Sequence, residues 1–145
     1  MSLEENKAVV RRYWEELWNG KNKRVLDDIV SENTKIHFAP GQAHQPPNFY
    51  VWFEHALASF PDVHFTVYDM FAEGDEVVAR WSYEATHTGD FLGIPATGKR
   101  VTDYGINIFR VENGKIADMW INQDSLGLLQ QLGAIPKLPE VAERK

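Results

Sequence analysis

The sequence predicts an α+β fold, and three features carry that prediction. Apolar residues recur at helical spacing as far as Phe60, the period drops to two after Pro61-Asp62, and Asn113-Gly114 falls between two alternating runs. Helical patterning followed by a succession of strands is the order in which helices segregate to one face of a sheet. Asn-Gly between alternating runs is the strongest short-range hairpin signal. Three N-terminal helices, a curved and mainly antiparallel sheet, and a short C-terminal helix are the expected parts.

The elements follow in order. Residues 3 to 18 place Leu3, Val10, Trp14, Leu17 and Trp18 on one helical side, with Glu4, Glu5, Arg11, Arg12 and Glu15 on the other. Ser2 and Glu5 have capping-box spacing, and Asn19-Gly20 is a stop signal. A second short helix, about residues 23 to 30, buries Val25, Leu26, Ile29 and Val30, and residues 34 to 38 alternate as a short strand. Pro40-Gly41 and Pro46-Pro47 bracket a loop, after which Phe49, Trp52, Phe53, Ala56, Leu57 and Phe60 mark a third helix. Four strands are expected at about 63–72, 76–88, 100–111 and 115–123. The first pair turns at Glu73-Gly74-Asp75, the last at Glu112-Asn113-Gly114, and the middle pair is joined by the long loop "TGDFLGIPATGK". A twisted antiparallel sheet with helices on one face bends into a cone whose mouth is a natural ligand site. No repeat, linker or low-complexity stretch interrupts the pattern, so residues 1–145 read as one domain.

Composition excludes several functions. A net charge of -6, with no basic cluster beyond Lys21-Asn22-Lys23-Arg24, argues against nucleic acid as a partner. Cysteine is absent, which removes disulfides, thiolate metal sites and a cysteine nucleophile. The apolar runs are too short for a membrane span and the N-terminus lacks a signal pattern, so the expectation is a cytoplasmic protein away from membranes. His37, His44, His64 and His87 have no close ligand spacing, and "GIPATGK" precedes a strand where a phosphate loop would precede a helix. No metal and no cofactor are expected. Five tryptophans suit either a core or a site for flat organic ligands.

The stretch "FPDVHFTVYDMFAEGDEVVARWSYEATHTGDFLGIPATGKRV", with "FRVENGKIADMW" and "LGLLQQLG", resembles the SnoaL-like polyketide cyclases, a branch of the NTF2-like superfamily. The resemblance runs from the first helix to about Pro136. It implies an NTF2-like cone, an intramolecular aldol ring closure without metal or cofactor, and a family-like homodimer or higher homo-oligomer. It also implies an acid/base aspartate near the end of the last long strand, in a Trp-x-x-x-Asp context. Here that position is Trp120-Ile121-Asn122-Gln123-Asp124, although Met119 and Ile121 flank the tryptophan where family members often carry another charge.

Asp124 is therefore the leading catalytic candidate. Trp120, Asn122 and Asp124 share a strand face by parity, and a carboxyl held against an indole away from water has a raised pKa that suits proton transfer. The competing reading is that Asp124 simply caps the helix beginning at Ser125. His87 closes the alternating set Trp81, Tyr83, Ala85 and His87, either as a second proton-transfer group at the rim or as an anchor for the loop that follows. Asn107 lies on the face opposite Tyr104, Ile106 and Ile108, pocket-facing or bonded to a neighbouring strand. Trp81, Tyr83, Tyr104, Trp14, Trp52 and His55 complete the expected pocket, with Tyr13 beside them. A hydrophobic small molecule, aromatic or polycyclic and bearing a carbonyl, is the expected substrate. Aldol ring closure, or a related isomerisation or dehydration on the same carboxylate, is the expected reaction. The alternative function is a non-catalytic binding or association domain on the same cone.

Overall fold

Ser2 opens the first helix in the way its spacing from Glu5 predicts. The Glu5 amide donates to the Ser2 hydroxyl at 3.1 Å, and the Ser2 amide donates to the Glu5 carboxylate at 3.2 Å. In the computed structural model, which describes residues 1–38 and 46–139, this helix, α1, spans Leu3–Arg12. It continues as a π-helix over Tyr13–Asn19, where a single α-helix was expected. The wider winding turns two adjacent pairs, Tyr13-Trp14 and Leu17-Trp18, into the core together, and all four side chains are buried. The Gly20 amide then donates to the Glu15 carbonyl at 2.9 Å. A Cβ at position 20 would sit 2.7 Å from the Glu16 carbonyl oxygen, so this turn requires glycine.

A 3-10 turn at Lys23–Val25 leads into α2, Leu26–Ile29, and β1 follows at Lys35–Phe38. The expected turn at Pro40-Gly41, and His44 with it, lies outside the described residues. Asn48 caps α3, Phe49–Ser59, by accepting from the Val51 amide at 3.0 Å. The long strands are β2 (His64–Glu73), β3 (Glu76–Thr86), β4 (Arg100–Glu112) and β5 (Lys115–Gln123), each within two residues of the span its periodicity predicts. The last helix, α4, is Ser125–Gln131. Among the described residues no helix is long and apolar enough to cross a membrane.

The strands form one sheet in the order β1-β5-β4-β3-β2. β2 to β5 are an antiparallel meander, and β1 adds to β5 in parallel. Register decides which side chains face the helices. Val101, Asp103, Asn107 and Phe109 are the buried set of β4, opposite Ala85, Tyr83, Ala79 and Val77 of β3. On β5 the partners of Phe109 and Asn107 are Met119 and Ile121, both buried. The inner face of β5 is therefore Met119, Ile121 and Gln123, and the expected inner set is corrected: Trp120 and Asn122 face outward, as does Tyr104 on β4. An offset of one residue in parity moves every side chain of a strand across the sheet.

Aromatic contacts tie the helices to this sheet. Tyr13 meets Phe109 with ring centroids 4.9 Å apart, Trp14 meets Phe65 at 4.9 Å and Trp18 meets Phe53 at 4.8 Å. Such pairs each contribute roughly 0.5–1.5 kcal/mol beyond their buried area. Gln131 fastens α4 across β4, donating to the Thr102 carbonyl at 2.8 Å and accepting from the Thr102 amide at 2.9 Å. On the outer face His37 stacks on Trp120 at 4.8 Å. Asp118 there accepts from Arg110 Nε at 2.7 Å and meets His37 Nε2 at 2.9 Å.

Candidate active site

Gly105 makes room for the wall of the site. A Cβ at this position would lie 2.3 Å from Cζ2 of Trp81 and 2.7 Å from the Asn122 carbonyl oxygen. With no side chain on β4 there, the Trp81 indole packs against bare backbone, and its Nε1–H donates to Asn107 Oδ1 at 3.0 Å. An indole nitrogen can only donate, so the Asn107 oxygen must face Trp81 and the amide N–H groups face the other way.

Trp81, Tyr83 and Asn107 line a cavity of about 640 Å³ between the sheet and the helices. Its size is that of a pocket for a drug-sized molecule. The π-helix contributes Tyr13, Trp14 and Trp18, α3 contributes Trp52 and His55, and the loop after β3 contributes Phe91 and Leu92. Ser59, Asp90, Gln123 and Ser125 supply the remaining polar groups among the described residues. Local sequence explains the shape: the π-winding brings three large aromatics to one side, and small residues Ala56 and Ser59 on α3 leave the space open. Aromatic walls with few polar groups select flat apolar ligands and leave orientation to single hydrogen bonds.

Of the residues singled out in the sequence, Trp14, Trp52, His55, Trp81, Tyr83 and Asn107 come together around this cavity. Asp124 does not. Its side chain is exposed, lies with Trp120, Asn122 and Tyr104 along the other side of the sheet, and accepts from the Gly127 amide at 2.9 Å as the N-cap of α4. The expectation of a desolvated acid at Asp124 is therefore corrected: the side chain is exposed and serves as a helix cap. Trp120 is 38% exposed and stacked on His37, and it lines a separate concavity on the outer face with Tyr104, Asn122 and Asp124.

His87 is fully buried but stands behind the cavity lining. Its Nδ1 accepts from the Thr97 amide at 3.1 Å and meets the Thr97 hydroxyl at 2.9 Å. Nδ1 is thereby the unprotonated nitrogen, the ring packs against Phe60 at 5.5 Å, and the side chain anchors both ends of the loop between β3 and β4. This geometry is the loop-anchoring reading, and it moves His87 away from the rim.

One buried acid was missed. Asp103, on β4 directly opposite Tyr83, is 1% exposed, and its Oδ2 has no hydrogen-bond partner. Oδ1 accepts from the Tyr104 amide at 2.8 Å. Burial pushes the Asp103 carboxyl up to about 7; the charge of Asp124 adds to the rise, while the Tyr104 amide and the Tyr83 phenol oppose it. Burial likewise holds the Tyr83 phenol well above its ordinary range, with the Asp103 charge reinforcing the effect. The signal was available in the strand: Val101, Asp103, Asn107 and Phe109 share parity, which puts an acid on the same side as a phenylalanine. Among the described residues no three His, Asp or Glu side chains converge where a metal ion could bind.

Comparison with known proteins agrees with this architecture. The family model described as SnoaL-like polyketide cyclase matches residues 8–132. The chain is 28% identical over 141 residues to the aklanonic acid methyl ester cyclase DauD of Streptomyces sp. (strain C5), covering 91% of this chain and 84% of that one. It is equally similar, at 28% over 141 residues, to the aklanonic acid methyl ester cyclase DnrD of Streptomyces peucetius, covering 91% and 93%. Among solved structures, AclR from Streptomyces galilaeus superposes with a TM-score of 0.81 at 26% identity, covering 96% of this chain and 87% of that one. The shared scaffold is the NTF2-like curved sheet with helices packed on it.

Proposed function

Because the chain belongs to the SnoaL-like polyketide cyclase family, we propose that it closes a ring in a flat, hydrophobic polycyclic carbonyl compound by an intramolecular aldol reaction in the cytoplasm. The observation that carries this reading is the aromatic-walled cavity of about 640 Å³, in which Asn107 turns amide N–H donors away from Trp81. Aromatic walls hold a polycycle by apolar contact, and a fixed donor aimed at a carbonyl stabilises the negative charge that develops on its oxygen. Proton transfers are all that an aldol closure requires, so the protein's own side chains supply the chemistry without metal or redox cofactor.

Two relatives are named as cyclases of aklanonic acid methyl ester, which makes that compound the first probe. Incubation with it, or with a related polycyclic keto ester, is expected to give a product of unchanged mass and altered retention and absorption. Tight binding without conversion of any such ester supports the other function, a small-molecule-binding domain.

The outer sheet face is the proposed surface for a second copy of the chain. Tyr104, Ile106 and Trp120 expose 57%, 48% and 38% of their surface side by side, a contiguous apolar area beyond what isolated surface residues need. Light scattering is expected to give a dimer mass, and Ile106→Asp, which sets a charge at the centre of that face, is expected to give a monomer that keeps its cavity. An unaltered protein that runs as a monomer at tens of micromolar contradicts the pairing.

A further inference from the structure

We infer that Tyr83 is the proton-transferring residue of the cavity and that Asp103, immediately behind it, is the positioning residue that takes and returns the proton. The inference rests on the acid/base reading given above and names the groups that would carry it.

The geometry comes first. Tyr83 and Asp103 are cross-strand partners in the β3–β4 register, so their side chains leave the sheet on the same face. Tyr83 lines the cavity, whereas Asp103 does not reach it. A substrate can therefore touch the phenol, and the carboxyl can act only through the phenol. Asp103 Oδ2 is buried with no hydrogen-bond partner, an arrangement that costs free energy unless a ligand or a function compensates for it. α4 seals the acid in. Its Gln131 clamp on Thr102 and the bond from the Asp124 amide to the Tyr104 carbonyl at 2.9 Å lie on either side of Asp103 along β4.

The titratable groups acting on Asp103 are Tyr83 from β3 and Asp124 from the head of α4; burial, reinforced by the Asp124 charge, outweighs the Tyr83 phenol and places the acid near neutrality. A carboxyl poised there exchanges a proton readily in either direction at the pH where the chain works. A phenol whose own ionisation is pushed higher does not lose its proton to solvent, and so conducts one only when Asp103 accepts it.

The steps balance. The substrate C–H bond breaks with its electron pair left on the enolate; the proton goes to Tyr83 Oη as the phenol's own proton passes to the ionised Asp103 carboxylate. The enolate carbon then bonds to the second carbonyl carbon. Its oxygen takes a proton from Tyr83, which recovers one from Asp103, and both side chains end as they began. One relay serves both transfers because the carbon that loses the proton and the oxygen that gains it belong to the two groups being joined.

The test compares Tyr83→Phe and Asp103→Asn with the unaltered protein, using aklanonic acid methyl ester as substrate. Quenching of tryptophan fluorescence by anilinonaphthalene sulfonate checks that each variant keeps its cavity. Tyr83→Phe is expected to lower kcat at least about 100-fold, the contribution typical of a general acid/base, with KM changed no more than a few-fold. Asp103→Asn is expected to remove the inflection near neutrality from the pH profile of kcat, and a carbon-13 carboxyl titration of the unaltered protein to find Asp103 ionising there. Turnover that survives Tyr83→Phe, or an Asp103 that titrates in the ordinary carboxylate range, overturns this inference and leaves the cyclase reading standing. An unaltered protein that converts no ester overturns both.

Discussion

Asp124 shows how one carboxylate can shape a site without entering it. Its oxygens occupy the space above Gly127, where a Cβ would lie 2.2 Å from Oδ2, so the glycine and the cap are matched. Asp124→Ala is expected to cost about 1 kcal/mol of folding stability, as lost caps do, and to leave ester conversion within a few-fold of the original. Asp124→Asn keeps a capping oxygen but removes a negative charge that opposes ionisation of Asp103, so the Asp103 titration is expected to move to lower pH. Carboxyl-resolved NMR measures that shift, and an unmoved titration would deny the coupling between the two acids. The sequence put an acid on the last strand and pointed to the right helix end, but parity read from Trp120 chose the wrong face. The apolar pair Met119 and Ile121 had marked the inner face all along, and Asp103 was legible on β4 by the same rule.

At the scale of elements, periodicity gave the strands and most helix ends because period two and period 3.6 are set by local backbone geometry. The π-winding of Tyr13–Asn19 was not legible, since Tyr13, Trp14, Leu17 and Trp18 also fit α-helical spacing and only packing against Phe109, Phe65 and Phe53 reveals the wider turn. The parallel β1–β5 pair escaped for a related reason: contact between residues 35–38 and 118–121 depends on how the whole chain folds back. The clamp between α4 and β4 is a third such long-range feature. Gln131→Ala removes two hydrogen bonds to the Thr102 backbone, each contributing about 0.5–1.5 kcal/mol. The expected result is a stability loss of about 1–3 kcal/mol in urea unfolding together with faster hydrogen exchange at the Thr102 amide. A variant whose Thr102 amide stays fully protected would show that packing of Leu128 and Leu132, both buried, holds α4 without the clamp.

For the molecule as a whole, two buried acids of the sheet, Asp118 and Asp103, pull stability in opposite directions with pH. Asp118 is held below the usual carboxylate range, first by His37 and then by Arg110. Its contribution is present above the ordinary carboxylate value and is lost as pH falls through the lower native one. Asp103 has the opposite sign. Burial raises it from 3.8 to about 7, so its contribution is complete below the unfolded value and is lost as pH climbs through the native one. At about 1.4 kcal/mol for each tenfold change in proton affinity, ionising Asp103 costs on the order of 4 kcal/mol, a large share of the ~5–15 kcal/mol that holds a domain together. Asp103→Asn keeps the shape and cannot ionise. Urea midpoints of the two proteins are therefore expected to diverge between about pH 4 and about pH 7, with the asparagine variant gaining on the native chain at the higher pH. Parallel midpoints across that window would mean that Asp103 meets water or a cation in the folded protein. A native chain that weakens as pH rises, while the variant does not, means that the fold keeps an unpaired acid behind the cavity wall at the expense of its own stability, which packing alone does not explain.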